Sequence, residues 1–154
     1  MVAALRNEPS KEGAVVCLES GKLEVRPSGP LSGVRVVVVD DEQDVRELFT
    51  DMLQLAGADV RAACSAREAL GLIEAQMPHT VVSDVMMPHE DGYWLIAALR
   101  AMGPRRPRAL AITGDPRVHS RDALLRAGYD AFLSKPVGVD ALTGTVARLA
   151  GRTG

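Results

Sequence analysis

Five residues combine side chains and positions that could carry chemistry: the pair Asp40-Asp41, then Asp84, Thr113 and Lys135. Each closely follows an apolar, β-branched or aliphatic run, at 34–39, 80–83, 109–112 and 131–133. If those runs are neighbouring strands of one sheet, three carboxylates, a hydroxyl and an ammonium converge at one edge. Carboxylates so close repel one another, and protons or a cation must compensate. Oxygen-only ligands select a hard cation, and Mg²⁺ binds through one or two carboxylates together with phosphate oxygens and water. Asp40 and Asp41 would hold such an ion directly or through water, and Asp84 would share it. An ionised carboxylate needs no base to act as a nucleophile. Its difficulty is the approach to an anionic phosphoryl group, which a cation and the Lys135 ammonium would ease. Thr113 can donate a hydrogen bond to a phosphoryl oxygen, and Gly114 leaves room for the group to enter. Taken singly these residues have plainer readings. Asp40-Asp41 could cap a helix, Asp84 could belong to a turn, and Thr113 and Lys135 are common surface types. Their shared position at strand ends is what raises them.

The elements that must position them follow from periodicity. The run 34–39 suits a strand buried on both faces. Val45, Leu48, Phe49, Met52 and Leu53 then mark one helical face, ended by Gly57. A short, weak strand is expected at 58–63. Ser65 with Glu68 reads as a capping box before a helix striped by Ala66, Ala69, Leu70 and Ile73 and stopped at Pro78. Strands at 80–83, 109–112 and 131–133 alternate with helices marked by Leu95, Ile96, Leu99 and Met102, by the segment 117–127 closed at Gly128, and by Val139, Leu142, Val146 and Leu149. Five strand–helix units in strict alternation imply an α/β fold, a doubly wound parallel sheet with helices on both faces. Ligands bind at the carboxyl ends of such strands. Residues 1–32 lack this regularity and read as an N-terminal extension, a flexible leader or linker. The alternative there is a short hairpin of 14–18 and 22–25 around Ser20-Gly21. His79, His89 and His119 read as ordinary surface or loop residues, Trp94 as packing, and Arg105-Arg106-Pro107-Arg108 as a solvated loop.

The motifs resemble the receiver domains of two-component signalling, of the CheY type. The matching elements are the acidic pair in Val38-Val39-Asp40-Asp41-Glu42, the acceptor in Ser83-Asp84-Val85-Met86-Met87-Pro88, Asp91-Gly92, Ile112-Thr113-Gly114 and Lys135-Pro136. The resemblance covers about 33–151. It implies a flavodoxin-like (βα)5 fold of strand order 2-1-3-4-5. It implies Asp84 as phosphoacceptor, with Asp40, Asp41, Asp84 and the main-chain carbonyl of Met86 as Mg²⁺ ligands, and Thr113 and Lys135 as the other active groups. It further implies that Thr113 and Phe132 change position together on phosphorylation, and that Lys135-Pro136 is a cis peptide. The family often has glycine after the proline that follows the acceptor, where this chain has His89. The exposed-looking loop there is bulkier and more polar, and Met86 could hinder attacking water.

Composition agrees with a signalling domain of this kind. At 154 residues, 47% hydrophobic and 25% charged, the chain suits one domain with a full core. A net charge of −2 offers no basic field for nucleic acid. No apolar run is long enough for a bilayer, and the start lacks a signal-peptide pattern. Cys17 and Cys64 fit free thiols of a cytoplasmic protein. The expected partners are a sensor histidine kinase or histidine phosphotransfer protein as donor, and a downstream protein at the face built from the fourth helix, fifth strand and fifth helix of the receiver. A homodimer is compatible with the same reading. The chain is expected to be either a free single-domain regulator or the receiver of a hybrid sensor kinase, which Glu90-Asp91-Gly92-Tyr93 resembles. Two rivals remain. A Mg-dependent aspartyl phosphatase of the haloacid dehalogenase type would need a second aspartate two residues after the nucleophile, where Met86 stands. A non-phosphorylated scaffolding receiver would lack the full acidic set.

Overall fold

The structure, a computed structural model, describes residues 29–152 and the backbone of 14–19 and 22–27. Strands β1 (Ala14–Glu19) and β2 (Lys22–Pro27) form an antiparallel pair of their own. The segment read chiefly as a leader thus contains the hairpin that was its alternative, each strand slightly longer than expected. Residues 1–13, and with them the rest of the leader reading, lie outside the described residues. So does the side chain of Cys17; Cys64 is an exposed free thiol.

The main body alternates strictly: β3 (Arg35–Val39), α1 (Gln43–Leu55), β4 (Asp59–Ala63), α2 (Ala66–Ala75), β5 (Thr80–Asp84), α3 (Gly92–Arg100), β6 (Arg108–Thr113), α4 (Arg121–Ala127), β7 (Ala131–Ser134) and α5 (Val139–Leu149). The five strands are parallel in the order β4-β3-β5-β6-β7, which is 2-1-3-4-5 counted within the sheet. Alternate residues of each strand feed opposite faces. Val37, Val39, Val81, Ala109 and Ala111 pack beneath the side carrying α2 and α3. Val36, Val38, Val82, Leu110 and Ile112 pack with Phe49 and Leu53 of α1 and Leu142 and Val146 of α5. Burial on both faces is why the central strands read as continuous apolar runs. Leu31, two residues before the expected start of the domain at 33, is fully buried in the second layer, and its N–H donates to the Ala56 carbonyl at 2.9 Å.

Two boundaries and two buried-face assignments differ from the periodicity. Helix α4 begins at Arg121 rather than 117, because Ser120 caps it by accepting from the Ala123 N–H at 3.2 Å. Met102 falls just past α3, in a turn that leads to Gly103. Leu48 and Val139, counted with their apolar stripes, lie on the flanks and are exposed. The Ser65 cap is present, with its oxygen accepting from the Glu68 N–H at 3.1 Å, but the Glu68 carboxylate accepts from the Cys64 thiol instead of closing the box.

Two surface readings change once packing is seen. Arg106 is half-buried and forks onto Asp130 at 3.2 and 3.3 Å, while Asp130 also accepts from the Ala109 N–H at 2.8 Å. The arginine cluster is therefore in part a clasp between the starts of β6 and β7, held by a bidentate pair. His79 accepts the Arg35 N–H on Nδ1 at 2.9 Å, extending the β3–β5 ladder through a side chain. Burial, with Arg35 and Arg152 nearby, lowers its pKa from 6.5. A lowered histidine pKa favours the neutral ring in the fold, so its contribution is present above about pH 6.5 and is lost as pH falls below it. Thermal unfolding of wild type and His79→Ala from pH 8 to pH 5 is expected to show a gap of about 1 kcal/mol at the alkaline end that closes toward pH 5.

Candidate functional site

Strand β3 ends by delivering Asp40 into the core, where it has no exposed surface. Its N–H donates to Ala63 O at 3.2 Å, its Oδ1 accepts from the Glu42 N–H at 2.9 Å, and Arg46 holds its carbonyl at 2.8 Å. Asp40 Oδ2 is buried and has no hydrogen-bond partner. Asp41 beside it is exposed. Strand β5 delivers Asp84, 6% exposed, as the register partner of Ile112, so Thr113 stands one residue beyond it on β6. Thr113 is fully buried, and its hydroxyl accepts from the Asp115 N–H at 3.2 Å. Lys135 follows β7; its N–H donates to the Thr113 carbonyl at 2.8 Å, and the Lys135-Pro136 peptide is cis. Its Nζ lies 3.5 Å from Asp40 Oδ2 and 3.7 Å from Asp84 Oδ1.

The electrostatics show too little positive charge for these acids. Burial, then the charge of Asp40, push the Asp84 pKa up from 3.8 to about 6, against the pull of Lys135 and the Met86 N–H. Burial likewise raises Asp40, although the Glu42 N–H and Lys135 oppose it. Asp40, Asp41 and Asp84 each present a carboxylate oxygen, and these oxygens lie within 4.8 Å of one another. A buried carboxylate oxygen met by a long ion-pair contact and no hydrogen bond, in an all-oxygen cluster, suits a hard divalent cation.

The neighbouring elements are fixed by contacts that the sequence shows only in part. Asp91 caps α3, its Oδ1 accepting from Tyr93 and Trp94 N–H groups at 3.0 Å each. Gly92 is needed for close approach: a Cβ there would meet Asp84 O and Val85 Cα at 2.8 Å and the Tyr129 hydroxyl at 2.9 Å. Tyr129 is buried and donates to Gly92 O at 2.7 Å, a positioning role that its place after Gly128 merely hinted at. Gly92→Ala is expected to cost about 2 kcal/mol in chemical denaturation, because backbone atoms of the Asp84 turn must give way.

His89 adopts φ 61°, the left-handed region, which explains the glycine preference at that position and adds strain here. Glu90 pairs with Arg67 at 2.7 Å, and Arg67 also lies 5.4 Å above the Trp94 ring. Met86 is 62% exposed beside the site. His119 is a loop residue, as expected, and its Nδ1 meets the Tyr93 hydroxyl at 3.1 Å, joining α3 to the loop that follows Thr113. Phe132, register partner of Ala111, is half-buried against the first core layer.

The family model described as the response regulator receiver domain matches residues 36–147. This chain belongs to that family. The receiver is 43% identical over 109 residues to a 14.6 kDa protein from the sodA1 3′ region of Leptolyngbya boryana, covering 70% of this chain and 82% of the other. It is 41% identical over 120 residues to response regulator MprA of Mycolicibacterium vanbaalenii, covering 78% of this chain but 52% of MprA, about half its length. Among solved structures it resembles the Francisella response regulator 1452 receiver domain (28% identity, TM-score 0.72, 79% of this chain and 100% of that one). It also resembles Vibrio cholerae CheY4 (27% identity, TM-score 0.70, 75% and 98%). The receiver is thus a phosphoryl-accepting signalling switch and not an enzyme that releases a small-molecule product. The haloacid dehalogenase alternative gains no support, since Met86 occupies the position of its second aspartate. Among the described residues, no helix is long and apolar enough to cross a membrane.

Proposed function

We propose that Asp84 is the phosphoacceptor, drawing its phosphoryl group from a phosphohistidine on a sensor kinase or histidine phosphotransfer protein in the cytoplasm. An Asp84 carboxylate oxygen attacks phosphorus, the P–N bond breaks, and the electron pair leaves with the imidazole. Water later attacks the acyl phosphate, releasing inorganic phosphate and the original carboxylate. Asp40, Asp41, Asp84 and the Met86 carbonyl would hold Mg²⁺, which when bound supplies positive charge to the transferring oxygens. Lys135, within 4 Å of both buried acids, neutralises charge on the acceptor side and steadies the phosphoryl oxygens. Thr113, fixed to Lys135 through its carbonyl, donates its hydroxyl hydrogen to an oxygen of the incoming group, while a lone pair of the same hydroxyl accepts from the Asp115 N–H. Phe132 follows as the β6–α4 loop draws in, and the change is read at the face of α4, β7 and α5 by a protein partner.

The convergence of Asp40, Asp84 and Lys135 carries this reading. Incubation with a small phosphodonor and Mg²⁺, followed by intact-mass measurement, is expected to add a single labile phosphoryl group to wild type and none to Asp84→Asn. Equal labelling of the two would reject Asp84 as acceptor, and failure of wild type to bind beryllofluoride would favour the scaffolding alternative.

A further inference from the structure

Outside the phosphorylation edge, one groove and one sheet face answer each other. The groove, of about 480 Å³, runs along α5 and is lined by Pro30, Thr143, Gly144, Ala147, Arg148 and Arg152. Its floor is small and aliphatic, and the arginine stems add apolar surface beneath charged rims. Gly144 lies mid-helix and weakens α5. The domain's own packing does not require a glycine there, since an added Cβ would meet nothing within 4 Å. The sheet face belongs to the hairpin. Its register sets Ala14, Val16 and Leu18 opposite Pro27, Val25 and Leu23. These six positions share one face, while Val15, Cys17 and Glu19 with Arg26, Glu24 and Lys22 share the other. A two-stranded pair is marginal in water until an apolar face is packed against something.

We propose that the groove along α5 is the docking site of the β1–β2 hairpin of the same chain. The tether decides for this occupant. Strand β2 ends at Pro27, and Pro30, three residues on, lines the groove. Those three steps span at most about 11 Å. Gly29 is held against α1, where a Cβ would meet Ala56 O at 2.4 Å, so the tether leaves from a fixed point. Six-residue strands are roughly 20 Å long, enough to cover the roughly 12 Å of helix from Asp140 to Arg148. Docking covers the apolar positions, leaves the polar face to water, and places Gly144 where a strand can approach closely. The hairpin then shields one flank of α5, limiting what else can bind that helix.

Hydrogen exchange followed by mass spectrometry on the full chain tests this. In Gly144→Arg, an exposed replacement that leaves the core untouched, peptides covering 14–27 are expected to exchange roughly tenfold faster than in wild type. Amides of β3 and β5 should keep their protection and so report the intact domain. In Leu23→Lys, the amide resonance of Ala147 should shift in a nitrogen–proton spectrum. Unchanged exchange of 14–27 in the first variant, or an unmoved Ala147 in the second, overturns the proposal. Protection of 14–27 that rises with protein concentration assigns the face to a second copy and overturns it equally.

Discussion

Asp84→Asn is expected to make the metal-free domain more stable at pH 7.5 while removing its capacity for phosphate. The carboxyl titrates near 6 in the fold against 3.8 when unperturbed. With the folded value raised, the unfolded chain loses its proton first as pH rises. Stability therefore falls across the window from about 4 to about 6, and the whole penalty is in force above it. Each unit corresponds to 1.36 kcal/mol, so the neutral amide should recover about 2 to 3 kcal/mol. Urea denaturation in a chelating buffer at pH 7.5 and at pH 4 measures this directly. The gain should be present at pH 7.5 and nearly gone at pH 4. Added Mg²⁺ should narrow the difference at neutral pH by stabilising wild type more than the variant. A variant less stable than wild type at pH 7.5 would mean that Asp84 is a structural acid and not a strained functional one.

Lys135→Met carries the second large effect, with the opposite sign in stability. The ammonium stands 3.5 Å from Asp40 and 3.7 Å from Asp84, and it is a quarter exposed. Its removal leaves two buried carboxylates facing each other with less compensation. Breaking a fully buried pair costs about 3 to 5 kcal/mol, and partial hydration should reduce that to about 2 in metal-free buffer. Loss of a charge-stabilising donor typically slows transfer by about 10²- to 10³-fold. Single-turnover labelling from a small phosphodonor should show that slowing even at saturating Mg²⁺, when stability has largely been restored. Full-rate labelling in Lys135→Met would confine Lys135 to a structural role.

The sheet and the site were legible in the sequence for one reason. Strands buried on both faces write themselves as unbroken apolar runs, and the residues ending those runs must meet at one edge. That logic places Asp40, Asp84, Thr113 and Lys135 without any knowledge of side-chain contacts. It fails where a contact is made by a residue of ordinary type. Arg106 looks like solvated charge until Asp130, just before β7, meets it, and His79, expected at the start of its strand, gives no local sign that it accepts the Arg35 N–H. Tyr129 and Gly92 meet across 37 residues, so no local pattern could announce that pair. The residue pattern extends α4 back to Arg117 because Arg117 and Val118 suit a helix, whereas the Asp115 carboxylate engages the Arg117 N–H in a turn before Ser120 starts the helix. The hairpin is faint in the sequence because its alternation is short.

The shared cation is the proposition on which the rest turns. Titrating Mn²⁺ as a paramagnetic stand-in for Mg²⁺ into the nitrogen-labelled chain, with Asp40→Asn alongside, tests it most directly. One ion per chain should broaden the amides of Asp40, Asp41, Asp84 and Met86 together, reversibly with excess Mg²⁺, and the effect should be much weaker in the variant. Broadening that spares those four residues, or that is the same in Asp40→Asn, would contradict it.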